Sequence, residues 1–117
     1  MRRILKQLND VVGVKGSLAI TRDGMVVASH LGAHLEEELL AAMASSALHS
    51  MQRALEPHAL HHMQRLTLVA SHGKLVLAEA GPAHLVVVMD RNVDVGPVQI
   101  EIESAAMRIR QLGEIRI

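Results

Sequence analysis

The sequence contains no cysteine and none of the aromatic residues Phe, Tyr and Trp, although half of its 117 residues are hydrophobic. Without cysteine there is no disulfide framework, no thiolate nucleophile and no cysteine-based metal site. Without aromatic side chains there is no stacking platform for single-stranded nucleic acid and no aromatic cage for a cation. The core must therefore consist of Leu, Val, Ile, Ala and Met.

The sequence also lacks an excess of charge and a long apolar run. Twelve Lys and Arg residues balance twelve Asp and Glu residues, which argues against nucleic acid as a partner. Polar residues between Lys6 and Asp10 interrupt any signal-peptide core, and no stretch has the length needed to span a bilayer. We therefore expect a single cytoplasmic domain over residues 1–117, without stable membrane insertion.

Motifs for nucleotide binding and nucleophilic catalysis are absent as well. The sequence has no GxxxxGK loop for nucleotide phosphates and no GxSxG elbow. We predict that the protein is not an enzyme, has no catalytic residues and holds no cofactor.

The first third of the sequence predicts a helix followed by a hairpin. Ile4, Leu8 and Val11 recur at helical spacing, with Leu5 and Val12 widening the stripe before Gly13. VKGSLAIT then reads as a strand, RDG as a tight turn and MVVASH as the returning strand. Asp23 is interpreted as a turn residue rather than a catalytic carboxylate, because Gly24 supplies the positive φ that the hairpin requires.

The segment from Ala33 to Leu55 predicts a central helix that Pro57 stops, with Glu36, Glu37 and Glu38 in its first turn. A helix with two apolar faces needs two neighbours, of which one is the sheet and the other is expected to be a second copy of the protein. One face carries Leu35, Leu39, Ala42 and Met43, and the other carries Leu40, Ala44, Leu48, Met51 and Leu55.

The remaining sequence predicts three strands and a last helix. RLTLVAS and KLVLAEA flank His72-Gly73 as a second hairpin, and AHLVVVMD forms a fifth strand. VQIEIES alternates like a strand but is predicted to begin a helix, because the helical period continues through Leu112 and Pro97 suits a first helical turn. The element order is α-β-β-α-β-β-β-α.

The order of these motifs resembles the roadblock (dynein light-chain) family. VVGVKGSLAITRDGMVVAS looks like its opening hairpin and LEEELLAAMASSAL like its central helix. HGKLVLAEAGPAHLVVVMDRNVDVGPVQIEIESAAMRI is similar to its third hairpin, fifth strand and last helix. The resemblance implies an α+β fold with profilin-like layering: a five-stranded antiparallel sheet with the central helix on one face and the two terminal helices on the other.

The resemblance also implies a homodimer formed through the central helix and the third strand. Pairing with a second copy would cover the long unpaired edge from Leu66 to Ser71. The implied interface residues are Leu39, Met43, Ala47, Met51, Leu66, Leu68 and Ser71.

Roadblock proteins bind and regulate Ras-like small GTPases or act as dimeric adaptors. The resemblance therefore implies a GTPase regulator that changes hydrolysis or localisation by binding, with a non-catalytic scaffold in a signalling or motor complex as an alternative. Arg22 and Arg53 are testable as trans-acting arginine fingers, although solvated surface charge is the simpler interpretation.

Three histidines form the one local cluster of possible metal ligands. His58, His61 and His62 have the i, i+3, i+4 spacing that gathers imidazoles on one side of a helical turn, but no HExxH pattern accompanies them. We expect no metal site here and keep a histidine-rich, metal-responsive protein as a further alternative. The cluster is interpreted as a polar border of the dimer interface that makes assembly sensitive to pH.

Overall fold

The computed structural model describes residues 1–60 and 63–115, and the elements of these residues confirm the predicted order. One short 3-10 turn, Glu56–His58, follows the central helix. The helices and strands are α1 (Arg2–Asn9), β1 (Val14–Thr21), β2 (Val26–Leu31), α2 (Glu37–Leu55), β3 (Arg65–Ala70), β4 (Gly73–Ala80), β5 (Ala83–Met89) and α3 (Val95–Ile115).

The strands form one antiparallel five-stranded sheet in the order β2-β1-β5-β4-β3. Strand β1 is an interior strand, because Ile20 pairs with Val26 of β2 on one side and with His84 of β5 on the other. Strand β4 pairs with β5 and β3. Among the described residues, β2 and β3 are therefore the edges of the sheet.

The first hairpin turns at Arg22–Gly24, as predicted. Gly24 has a φ of +91°, a conformation that glycine adopts without steric cost. The Thr21 backbone N–H donates to the Met25 carbonyl at 2.8 Å and closes the turn. Asp23 lies at the tip of this turn, so its predicted structural role is confirmed.

One face of the sheet packs against α2. Alternation along the strands directs one set of side chains to this face, where they meet the small and branched residues of the helix. Each large apolar side chain buried in this way contributes about 1.5–3 kcal/mol. The cluster contains Leu18, Ile20, Leu77 and Val86 from the sheet and Ala41, Ala44 and Leu48 from α2.

The opposite face packs against α1 and α3, which completes the predicted layering. Leu5 of α1 and Ile102 of α3 are fully buried there, together with Leu85 and Val87 of β5. Ser17 also faces this layer, and its hydroxyl donates to Asn9 Oδ1 at 2.7 Å. The sheet therefore lies between a one-helix layer and a two-helix layer.

Two predicted helix boundaries were wrong. Helix α2 begins at Glu37 rather than at Ala33, because the chain turns between Gly32 and Leu35, with His34 at a φ of +72°. Helix α1 ends at Asn9, so Val12 lies outside it. Val12 does not widen the apolar stripe, since 87% of its surface is exposed.

Candidate functional site

The outer side of α2 carries large apolar residues that are exposed to solvent in the described chain. Leu39 is 57% exposed, Met43 51% and Met51 36%, while Ala47 is half-buried. Exposed groups of this kind mark contact surfaces when they are contiguous. Three of the four predicted interface residues on α2 therefore lie on the open side of the helix, with Ala47 beside them.

Strand β3 is one of the two edges of the described sheet, and it shares an apolar cluster with this helix. It pairs with β4 from Arg65 to Ala70, and its other edge has no strand partner among the described residues. Leu68 is 41% exposed. Leu66 is half-buried, because it packs on the same cluster as Leu40 of α2. The structure thus brings the predicted helix and strand together around one apolar cluster.

Ser71 lies just outside strand β3, although the sequence pattern predicted that the strand includes it. Strand β3 ends at Ala70, and Ser71 lies in the turn that leads to β4, where its hydroxyl is 2.9 Å from His72 Nδ1. The sequence pattern RLTLVAS placed the strand end one residue too late.

We define the open surface as the exposed apolar residues of α2 together with the edge of β3.

The other side of β3 carries exposed residues that the sequence did not reveal. Val69 is 65% exposed and Met107 of α3 is 62% exposed. Arg65 Nη1 donates to Glu103 Oε1 at 2.5 Å, which ties the edge strand to α3. Hydrogen bonds from Gln99 and Arg65 lower the pKa of Glu103 below its ordinary value. The alternation of β3 was the available signal, because it directs Thr67 and Val69 to this side.

The first hairpin is attached to α2 by a close contact. Ser45 Oγ donates to the Arg22 carbonyl at 3.1 Å. A Cβ added to Gly24 would lie 3.2 Å from the Ser45 Cβ. At the tip, the Thr21 hydroxyl donates to Asp23 Oδ1 and accepts from the Met25 N–H at 3.0 Å. The hydrogen bond from Thr21 lowers the pKa of Asp23 below its ordinary value.

The guanidinium groups of the two arginines considered as fingers take no part in this contact, which uses only the Arg22 backbone carbonyl. Arg22 is exposed in the hairpin turn and Arg53 is exposed in the last turn of α2. Neither guanidinium makes an ion pair with another described residue. Both are sterically available to a partner on the α2 side.

The histidine cluster is only partly within the described residues. His58 is exposed in the 3-10 turn that follows α2, while His61 and His62 lie outside the described residues. Within residues 1–60 and 63–115, no group of three His, Asp or Glu side chains is arranged to hold a metal ion.

No helix in the described parts of the chain combines the length and the apolar character that a membrane crossing requires.

Comparisons with known proteins agree with this geometry. The sequence profile of the Roadblock/LC7 domain matches residues 2–89. The uncharacterized protein MJ0714 of Methanocaldococcus jannaschii is 36% identical over 110 residues, which are 94% of this chain and 93% of that protein.

Two solved structures share the fold. The gliding protein MglB from Thermus thermophilus has a TM-score of 0.85 at 21% identity, covering 96% of this chain and 87% of that chain. An MglB structure with a tetrameric arrangement has a TM-score of 0.87 at 22% identity, covering 98% and 88%. Because the profile spans most of the residues and the relative is similar over nearly its whole length, the chain belongs to the Roadblock/LC7 domain family.

Proposed function

We propose that this protein is a cytoplasmic, homodimeric regulator or adaptor of a Ras-like small GTPase. It changes hydrolysis or localisation of the GTPase by contact rather than by chemistry of its own. Family membership supports this proposal, because the roadblock resemblance implies GTPase partners. The observation that carries it is the open surface, since an exposed apolar helix beside an unpaired strand edge is suited to a protein partner.

The first partner on this surface is a second copy of the chain. Antiparallel pairing of two β3 edges would satisfy backbone groups on both strands and join the two sheets. A two-fold axis through this pairing places both α2 helices on the same side of the joined sheet, where their exposed apolar residues meet. The tetrameric arrangement of one MglB shows that this fold self-associates in that protein.

Small side chains on α2 favour a close approach of the two helices. Ala42, Ser46 and Ser50 are exposed and Ala47 is half-buried. Small residues shorten the distance between packed helices. Met43 lies among them and would be buried by the second copy.

The GTPase would then contact the outer face of the paired α2 helices. Contact on this layer would rearrange the loops of the GTPase itself. No side chain of this protein is then required in the GTPase active site. A trans-acting arginine is the competing mechanism, and Arg22 and Arg53 are its two candidates on this side of the sheet.

The decisive measurement is single-turnover GTP hydrolysis by a Ras-like small GTPase from the same organism, with and without an excess of the dimer. We expect binding together with an acceleration of about tenfold or more, which corresponds to about 1.4 kcal/mol in the barrier. The variants Arg22→Ala and Arg53→Ala should retain that acceleration. Loss of the whole acceleration in either variant would instead identify an arginine finger.

Two other outcomes distinguish the alternatives. Binding with an unchanged hydrolysis rate would replace the regulator with a scaffold in a signalling or motor complex. Absence of binding, together with dimerisation that a chelator abolishes, would favour the histidine-rich, metal-responsive protein and its candidates His58, His61 and His62.

A further inference from the structure

Helix α1 presents a cationic face on the side opposite its buried stripe. Ile4 and Leu8 are buried against the core, whereas Arg2, Arg3 and Lys6 are exposed. At 3.6 residues per turn these three cations project from the face that points away from the sheet. The apolar side of α1 is buried in the core, so this helix has no exposed apolar stripe that could insert into a lipid layer.

These three cations have no acidic partner in the described part of the chain. Some other surface cations form ion pairs: Lys15 Nζ lies 3.1 Å from Asp90 Oδ1, and Arg110 Nη2 lies 3.0 Å from Glu79 Oε1. Arg2, Arg3 and Lys6 make no such contact with described residues. Their charges are therefore uncompensated at the surface.

Helix α3 extends the same charged area. Arg108 Nη1 donates to Gln7 Oε1 at 2.8 Å, and because glutamine is neutral the arginine keeps its full charge. Arg3 and Arg108 both line one shallow depression between the two helices. We define the basic face as Arg2, Arg3, Lys6 and Arg108.

One acidic residue lines a depression beside the basic face. A depression of about 500 Å³ is lined by Arg2, Arg3 and Lys6 together with His30, and Asp10 is its one acidic lining residue. Asp10 follows the C-terminal end of α1. The chain as a whole carries no net charge. The basic face therefore attracts anions to one side of the domain, whereas the domain as a whole does not attract them.

The basic face points away from the α2 side of the molecule. Helices α1 and α3 share one core cluster, whereas α2 packs on the other face of the sheet. In the proposed dimer, both α2 helices lie on one side of the joined sheet, so the two basic faces lie together on the other. A planar anionic surface contacts both at once.

We propose that the basic face docks the protein onto an anionic lipid bilayer. Long, exposed, unpaired cations without an apolar anchor suit a dense layer of negative headgroups, which attracts each Lys or Arg near the surface. Docking is peripheral, because the apolar side of α1 stays in the core. It leaves the α2 layer facing the cytoplasm, where a GTPase can reach it; this point and the paired contact of the dimer rest on the proposed function.

Vesicle co-sedimentation tests the proposal. Vesicles with about 30% phosphatidylserine in phosphatidylcholine should bind the protein at low salt, and binding should weaken as salt shortens the screening length. Neutralising two arginines in Arg2→Gln/Arg3→Gln should lower the affinity about 25-fold, from about fivefold for each charge. Pure phosphatidylcholine vesicles should not bind.

The matched control is Arg22→Gln/Arg53→Gln, which removes the same charge from the α2 side and should bind like the unaltered protein. Equal losses in the two double variants, or binding to neutral vesicles, would overturn the proposal. Binding to polyglutamate without binding to anionic vesicles would assign the basic face to an acidic protein instead. Binding to inorganic phosphate that competes with vesicles would reduce it to an anion site.

The contribution of dimerisation is tested with a monomeric variant in the same vesicle assay. A monomeric variant should retain vesicle binding with lower affinity, because one contact replaces two. Since neither readout contains a GTPase, failure of the proposed regulation would leave the vesicle result unchanged, and failure of vesicle binding would leave the GTPase result unchanged.

Discussion

Ser45 Oγ donates a 3.1 Å hydrogen bond to the backbone carbonyl of Arg22 and thereby joins the central helix to the first hairpin turn. The contact is close because Gly24, two residues later, has no side chain toward Ser45. The turn thus does more than reverse the chain: it fixes the end of the β1–β2 hairpin under α2.

Gly24→Ala should destabilise the protein. The residue has a φ of +91°, and its new Cβ would lie 3.2 Å from the Ser45 Cβ. The unfavourable backbone conformation costs about 1–2 kcal/mol, to which the close contact adds. Urea denaturation followed by circular dichroism at 222 nm measures the loss.

Gly96→Ala is the matched control for that substitution. Gly96 is in the first turn of α3, and the nearest atom to its added Cβ is Asp94 Oδ1 at 3.5 Å. Alanine is favoured in a helix, so this variant should be unchanged or stabilised by up to about 1 kcal/mol. Equal destabilisation by the two substitutions would contradict the special role of the turn.

Met43→Glu should dissociate the proposed dimer. A two-fold interface would bury two unpaired carboxylates, one from each protomer, which should weaken association at least about 100-fold. Sedimentation velocity at about 10 µM protein measures the change. Met25→Glu is the matched control, because Met25 is 66% exposed and belongs to the first hairpin rather than to α2 or β3. A dimer that survives Met43→Glu would show that another face is used.

Acid should destabilise the protein partly through Asp23 and Glu103, whose folded-state pKa values are lowered. A lowered pKa means that the stabilising contribution is present above the unfolded-state pKa and is lost as the pH falls through the folded-state value. The loss should therefore occur below about pH 4. The free energy of unfolding, measured with urea from pH 6 to pH 3, follows it.

Thr21→Val tests the contribution of Asp23 to the loss of stability in acid. It removes the hydroxyl whose hydrogen bond is the largest cause of the lowered pKa of Asp23. Its unfolding free energy should fall less steeply with acid than that of the unaltered protein. Thr21→Ser keeps a hydroxyl and should retain the steeper slope. Identical slopes for the two variants would exclude a contribution from this hydrogen bond.

Most of the fold was predictable because its signals are local. The apolar run VKGSLAIT predicted β1 from Val14 to Thr21, and the Asp23-Gly24 pair predicted the turn that follows. The ambiguous start of α3 was resolved correctly by the helical period beyond Ile102. In each case, the residues that form the element also carry its pattern.

The errors arose where distant contacts decide the outcome. The helix formers after Ala33 suggested an early start for α2, but the turn at His34 delays it to Glu37. Alternation along β3 gives the side on which Val69 lies, but the exposure of Val69 and Met107 depends on which strands α1 and α3 cover. The dimer interface remains a prediction, because a single chain shows the open surface and not its occupant.

The strand order has a consequence for how the chain folds. Each hairpin, β1–β2 and β3–β4, joins strands that are close in sequence, whereas β1 pairs with β5 from the far end of the sheet-forming sequence. Loop closure makes such a distant pairing slower than a hairpin. Pairing of β1 with β5 is therefore expected to be the late step in folding. The chain cannot complete its sheet until the last strand has left the ribosome.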